Sequence, residues 1–108
     1  MTNYDEKKLA YFAGVFDCKG SVYVNVDSYK RKPSMEMEVV MTELDLVKWM
    51  HQFIGVGTCR EKSVKAGCKP QLRWRVRFND AYEVAKLIKP YLKIKLDKVL
   101  KIINYYES

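Results

Sequence analysis

Between Gln71 and Phe78 the chain reads QLRWRVRF, an alternation in which Leu72, Trp74, Val76 and Phe78 stand against Gln71, Arg73, Arg75 and Arg77. Successive side chains of a strand point to opposite faces, so this segment has one side to be covered and one to stay wet. Arginines at alternate positions lie about 7 Å apart along a strand and repel one another unless something pairs with them. A sheet buried on both faces is thereby excluded. The segment calls for an antiparallel sheet with helices on one side and a free face on the other.

The rest of the sequence supplies such partners. Leu9, Phe12, Ala13 and Phe16 recur at helical spacing behind a cap at Thr2 to Asp5, and Gly20 closes that helix. The period then changes to two, with Val22, Val24 and Val26 alternating against Tyr23, Asn25 and Asp27. After a charged loop holding Pro33, Met35, Met37, Val39 and Met41 alternate with Glu36, Glu38 and Val40 as a second strand. Thr42 with Asp45 predicts a second helix carrying Leu46, Trp49, Met50 and Phe53 as far as Gly55. A third strand is expected from Val56 to about Ser63, and QLRWRVRF is the fourth. Asn79 is read as the cap of a helix bearing Val84, Leu87 and Ile88 and ending at Pro90, and a last helix presents Leu96, Val99, Leu100 and Ile103. The expectation is one α+β domain over residues 1–108, in the order α-ββ-α-ββ-α-α.

The formal net charge of +7 on 108 residues points to a polyanionic partner, with nucleic acid ahead of a membrane surface. No apolar run approaches the roughly 20 residues of a membrane span, and MTNYDEKKLA lacks the pattern of a secretory signal. An intracellular setting is expected: cytoplasm, nucleoid or organelle matrix. Cys18, Cys59 and Cys68 have no zinc or disulfide spacing. Arg60 and Lys62 should join the arginines of the fourth strand on the free face, with polar and aromatic groups from the first hairpin. Arginine pairs bidentately with guanine, and tyrosine and asparagine meet bases or phosphates, so this face suits DNA reading. Glu36 and Glu38 fit that face as acceptors for cytosine or as a brake on nonspecific phosphate binding.

The stretch Phe12-Ala13-Gly14-Val15-Phe16-Asp17-Cys18-Lys19-Gly20 resembles the nine-residue LAGLIDADG signature of a homing endonuclease family. IGVG at 54–57, WRVRF at 74–78 and KPYLKIKLDKVLKII at 89–103 are similar to the corresponding parts of single-motif members, so the resemblance spans essentially the whole chain. It implies an αββαββα subunit of a homodimer that holds a long pseudo-palindromic double-stranded DNA site in a saddle and cuts both strands with Mg2+ or another divalent cation. Phe12, Ala13, Gly14, Phe16 and Asp17 would form the dimer interface. Tyr23, Asn25, Asp27, Tyr29, Ser34, Glu36, Glu38, Val40, Thr58, Arg60, Lys62, Gln71, Arg73, Arg75 and Arg77 would face DNA.

One position departs from the pattern. The eighth motif residue of the family is an acid that binds the metal together with the main-chain carbonyl of the seventh, and these are Lys19 and Cys18 here. An ammonium cannot ligate a cation, and at about 4 Å from a divalent ion it would cost several kcal/mol at an effective dielectric near 20. Lys19, Glu43 and Lys95 occupy the catalytic positions that the resemblance implies, with Glu43 near the attacking water and Lys95 on the phosphate charge. A position that is often basic falls on Val47. Asp17 is expected to orient backbone at the helix end, and His51 to be a surface or packing residue. The sequence is thus consistent with a cleavage-impaired homing endonuclease subunit, with a heterodimer whose other chain supplies the acid, and with a noncatalytic DNA-binding regulator or RNA-binding intron maturase on the same scaffold.

Overall fold

The structure, a computed structural model, describes residues 4–25 and 32–107. Asp5 caps the first helix, α1 (Glu6–Lys19), by accepting from the Lys8 amide at 3.0 Å. Thr2, the other half of the expected cap, lies outside the described residues, as do Asp27 and Tyr29. The helix runs straight into β1 (Gly20–Asn25), followed by β2 (Ser34–Met41), α2 (Leu44–Ile54), β3 (Thr58–Lys62), β4 (Gln71–Arg77), α3 (Phe78–Ile88) and α4 (Leu96–Glu107). A turn of 3-10 helix at Lys89–Tyr91 carries the chain through Pro90, where α3 was expected to stop.

The four strands form one antiparallel sheet in the order β1-β2-β4-β3. Val22, Met35, Met37, Val39, Met41, Leu72, Trp74 and Val76 turn to the helices and are buried, as alternation predicted. Trp74 is the hub: Phe12 and Phe16 of α1 meet its ring edge-on, with centroids at 5.4 and 6.5 Å. Each such fully buried side chain contributes about 1.5–3 kcal/mol through burial.

The IGVG stretch has a definite job. Trp74 donates its indole N–H to the Val56 carbonyl at 3.1 Å, and His51 Nε2 lies 3.0 Å from the Gly57 carbonyl. Gly57 adopts φ +93 and leaves no room for a Cβ, which would stand 2.5 Å from the Arg75 carbonyl oxygen. These contacts tie the end of α2 to the start of β3, so His51 is a packing residue, as expected.

Several boundaries differ from expectation. The cap of α2 is Glu43, without a side-chain bond, and the residues most deeply buried on that helix are Val47, Met50 and Ile54. β3 is shorter than the 56–63 span expected. Phe78 does not continue the apolar face of β4. It begins α3 with φ +52, half exposed, and Arg77 rather than Asn79 precedes the first turn. The apolar face of β4 is complete at Val76, so the alternation runs one residue beyond the strand.

Candidate nucleic-acid interface

The register places the expected readout residues on one face of the sheet. Tyr23, Glu36 and Arg77 lie abreast, then Glu38, Arg75 and Thr58, then Val40, Arg73 and Arg60, and finally Gln71 and Lys62. Asn25 and Ser34 pair at the outer end of the first hairpin. Tyr23 is 52% exposed, and its ring is available for contact.

The two glutamates are interleaved with the arginines. Arg77 donates from Nε to Glu36 Oε1 at 2.8 Å, and Arg75 Nε lies 3.5 Å from Glu36 Oε2. Arg75 Nη2 reaches Glu38 Oε1 at 3.4 Å, with Arg73 Nε 3.7 Å from the same oxygen. Across β2 and β4 the carboxylates therefore cancel part of the repulsion within the arginine row. At this exposure each pair adds about 0–1 kcal/mol.

Neutralisation is uneven. Arg60 stands directly opposite Arg73, a like-charge pairing that weakens a sheet. The Nε atoms of Arg73 and Arg75 are covered and have no hydrogen-bond acceptor. No ion pair among the described residues engages Arg60 or Lys62. The face is thus acid-paired near Tyr23 and Arg77 and predominantly cationic toward Arg73, Arg60 and Lys62.

That cationic end adjoins the end of α1. Gly20 pairs with Val39, so the last turn of α1 sits near the end of β2, where Met41 pairs with Leu72 and Glu43 follows. Gly20 is held close: a Cβ there would lie 2.5 Å from the Phe16 ring. Asp17, one turn earlier on α1, is buried and accepts the backbone N–H groups of Lys93 (3.0 Å), Ile94 (2.9 Å) and Lys95 (2.8 Å). Lys95 completes the link by donating Nζ to the Asp17 main-chain carbonyl at 3.2 Å. Burial pushes the Asp17 carboxyl upward, but the amides of Lys95, Ile94 and Lys93 and the Lys95 charge outweigh it, leaving its pKa below the ordinary 3.8.

Lys19 closes α1 as an exposed cation, favourably placed on the negative end of the helix dipole. Glu43 is exposed at the head of α2, on the same side of the sheet ends. Val47 is wholly buried, so no side chain at that position reaches this surface. The role of Lys93 and Ile94, which hold Asp17 by backbone alone, was not readable from their side chains.

The expected interface on α1 is corrected by burial. Phe12, Ala13 and Phe16 have no exposure and belong to the chain's own core, and Asp17 turns to residues 93–95. Gly14 alone of that set is on the outer side, with Lys7, Tyr11 and Cys18 exposed along the same stripe. A Cβ at Gly14 would meet nothing within 4 Å.

A divalent cation does not fit these residues. No group of three His, Cys, Asp or Glu side chains converges anywhere among the described residues. At the end of α1 the Asp17 oxygens are already occupied by three amides, and the adjoining side chains are the ammonium groups of Lys19 and Lys95.

The fold and the face together define an α+β scaffold suited to a polyanion. No protein-family model matches the sequence, and no curated protein does. Solved structures do match. The homing endonuclease I-CvuI, crystallised with its target in the presence of calcium, superposes over 94% of this chain and 67% of its own with a TM-score of 0.75 and 17% identity. The archaeal intron-encoded homing endonuclease I-Vdi141I, complexed with DNA, covers 94% of this chain and 68% of its own at a TM-score of 0.74 and 14% identity. The LAGLIDADG homing endonuclease I-SmaMI bound to cleaved DNA covers 96% of this chain, which spans 37% of it, at a TM-score of 0.68 and 14% identity. The chain has the LAGLIDADG homing-endonuclease fold, and its nonapeptide occupies the helix-to-strand junction of that fold.

Proposed function

We propose that this chain is a DNA-binding subunit of LAGLIDADG type that grips a long pseudo-palindromic duplex as a homodimer and, with lysine at position 19, does not cut it. The observation that carries the reading is the sheet face, where Arg60, Lys62, Arg73, Arg75 and Arg77 meet only two carboxylates. Side chains of this length and spacing contact phosphates and base edges along a groove, and the +7 net charge favours encounter with any duplex.

Dimerisation through α1 is supported by the outer stripe of Lys7, Tyr11, Gly14 and Cys18, where the open space over Gly14 admits a second helix closely. A two-fold pairing there sets two sheets end to end, with the two Lys19 residues near the centre. No helix among the described residues is long and apolar enough to cross a membrane, and the reading places the protein in an intracellular compartment that holds DNA.

The failure to cut follows from the donor set. Metal-assisted phosphodiester hydrolysis needs a cation held beside the attacked phosphate, and Lys19, Lys95 and the occupied Asp17 repel or ignore one. Selection of bound duplexes from a random library, then incubation with Mg2+, tests both halves. Tight binding to a selected duplex without cleavage is expected, with Lys19→Glu gaining cleavage. Double-strand cutting by the unaltered chain would overturn the second half, and tighter binding to structured RNA than to any duplex would move the function to a maturase.

A further inference from the structure

We infer that the ammonium groups at the end of α1, those of Lys19 and Lys95, form a direct binding site for a backbone phosphate, so that this protein holds its nucleic acid at the centre without a divalent cation. The inference rests on the DNA-binding reading and extends it from the loss of a metal site to the gain of a different one.

The argument begins with Asp17. Its carboxylate is the only acidic group in the last turn of α1, and three backbone amides consume it. It therefore fixes the segment 93–95 without pairing any lysine side chain through its carboxylate oxygens. Lys95 is anchored by its contact with the Asp17 carbonyl, which positions the ammonium without neutralising it. Lys19 enters no ion pair among the described residues.

The surroundings favour an anion as well. The adjoining sheet end carries Arg60 opposite Arg73, and Lys62 beyond them. Two ammonium groups and these neighbours form a positive surface whose missing counterpart is a group of negative charge with several acceptor oxygens. A phosphodiester oxygen pair accepts from both ammonium groups, which takes over the neutralisation a cation would otherwise provide.

The test uses the full chain and a duplex recovered by selection, with binding followed by fluorescence anisotropy. Affinity should be the same in EDTA and in Mg2+ at matched ionic strength. Lys19→Gln should weaken binding by roughly tenfold per phosphate contact near 0.1 M salt and flatten the plot of log K against log salt by about 0.9 per contact, with two contacts in a homodimer. Lys86→Gln, which removes the same charge from the helical layer, should alter neither quantity. Lys19→Glu should bind poorly in EDTA and recover with Mg2+. A need for Mg2+ by the unaltered chain, or a salt slope unmoved by Lys19→Gln, overturns the inference alone. A library that yields no duplex overturns it together with the DNA-binding reading.

Discussion

Asp17 shows how one side chain organises a site without touching a ligand. Its two oxygens satisfy the amides of three consecutive residues, so the segment before α4 is set by α1 rather than by its own sequence. Asp17→Asn keeps the shape but turns a donor toward donors. Stability should fall by about 1–3 kcal/mol at neutral pH, the range for unsatisfied buried groups. The folded-state pKa of Asp17 lies below its unfolded value, so its contribution is complete above the unfolded pKa and is lost as pH falls through the folded one. Urea denaturation at a series of pH values should show the gap between the two proteins closing only in acid. A gap that widened in acid would contradict the assignment.

At the scale of elements, the β2 and β4 pair behaves as one electrostatic unit. Glu36 and Glu38 each reach two arginines, the one directly across and the one diagonal to it, which holds the row in place before any ligand arrives. A phosphate competing for Arg75 or Arg77 must displace a carboxylate, whereas a base edge offering both donors and acceptors need not. Changing both glutamates to glutamine should therefore raise affinity for mixed-sequence duplex and steepen its salt dependence by about 1–2 in slope, narrowing the preference for a selected site. Thermal stability should shift by no more than about 1 kcal/mol, since pairs this exposed stabilise little. Anisotropy titrations on selected and mixed duplexes check the first effect, and a preference left unchanged would assign the glutamates a purely structural role.

For the whole molecule, the open question of assembly centres on Gly14. Glycine inside a helix costs about 1 kcal/mol relative to alanine, and nothing in the chain's own packing requires it, since a side chain there meets open space. Gly14→Leu should leave the isolated subunit at least as stable while preventing close approach of a second α1. Sedimentation should show the unaltered chain as a dimer and the variant as a monomer. Dimer retained by Gly14→Leu would place the contact elsewhere.

Much of this was legible along the chain. The alternation of QLRWRVR and MEMEVVM depends only on which side chains water tolerates, so the half-covered sheet and its cationic face followed from period two. The nonapeptide could be located by its small residues and by the change of period at Gly20. Its orientation could not, because Phe12, Ala13 and Phe16 suit a partner helix as well as the chain's own core. Only the placement of Trp74 beneath them decided for the core. Phe78 likewise matched the strand's apolar letters, and tertiary structure turned it outward once Val76 had ended the buried row. The sequence by itself determined the composition of each face, since polarity is local. Which carboxylate meets which arginine, and which amides meet Asp17, are contacts between residues far apart in the chain. Register and packing decided those.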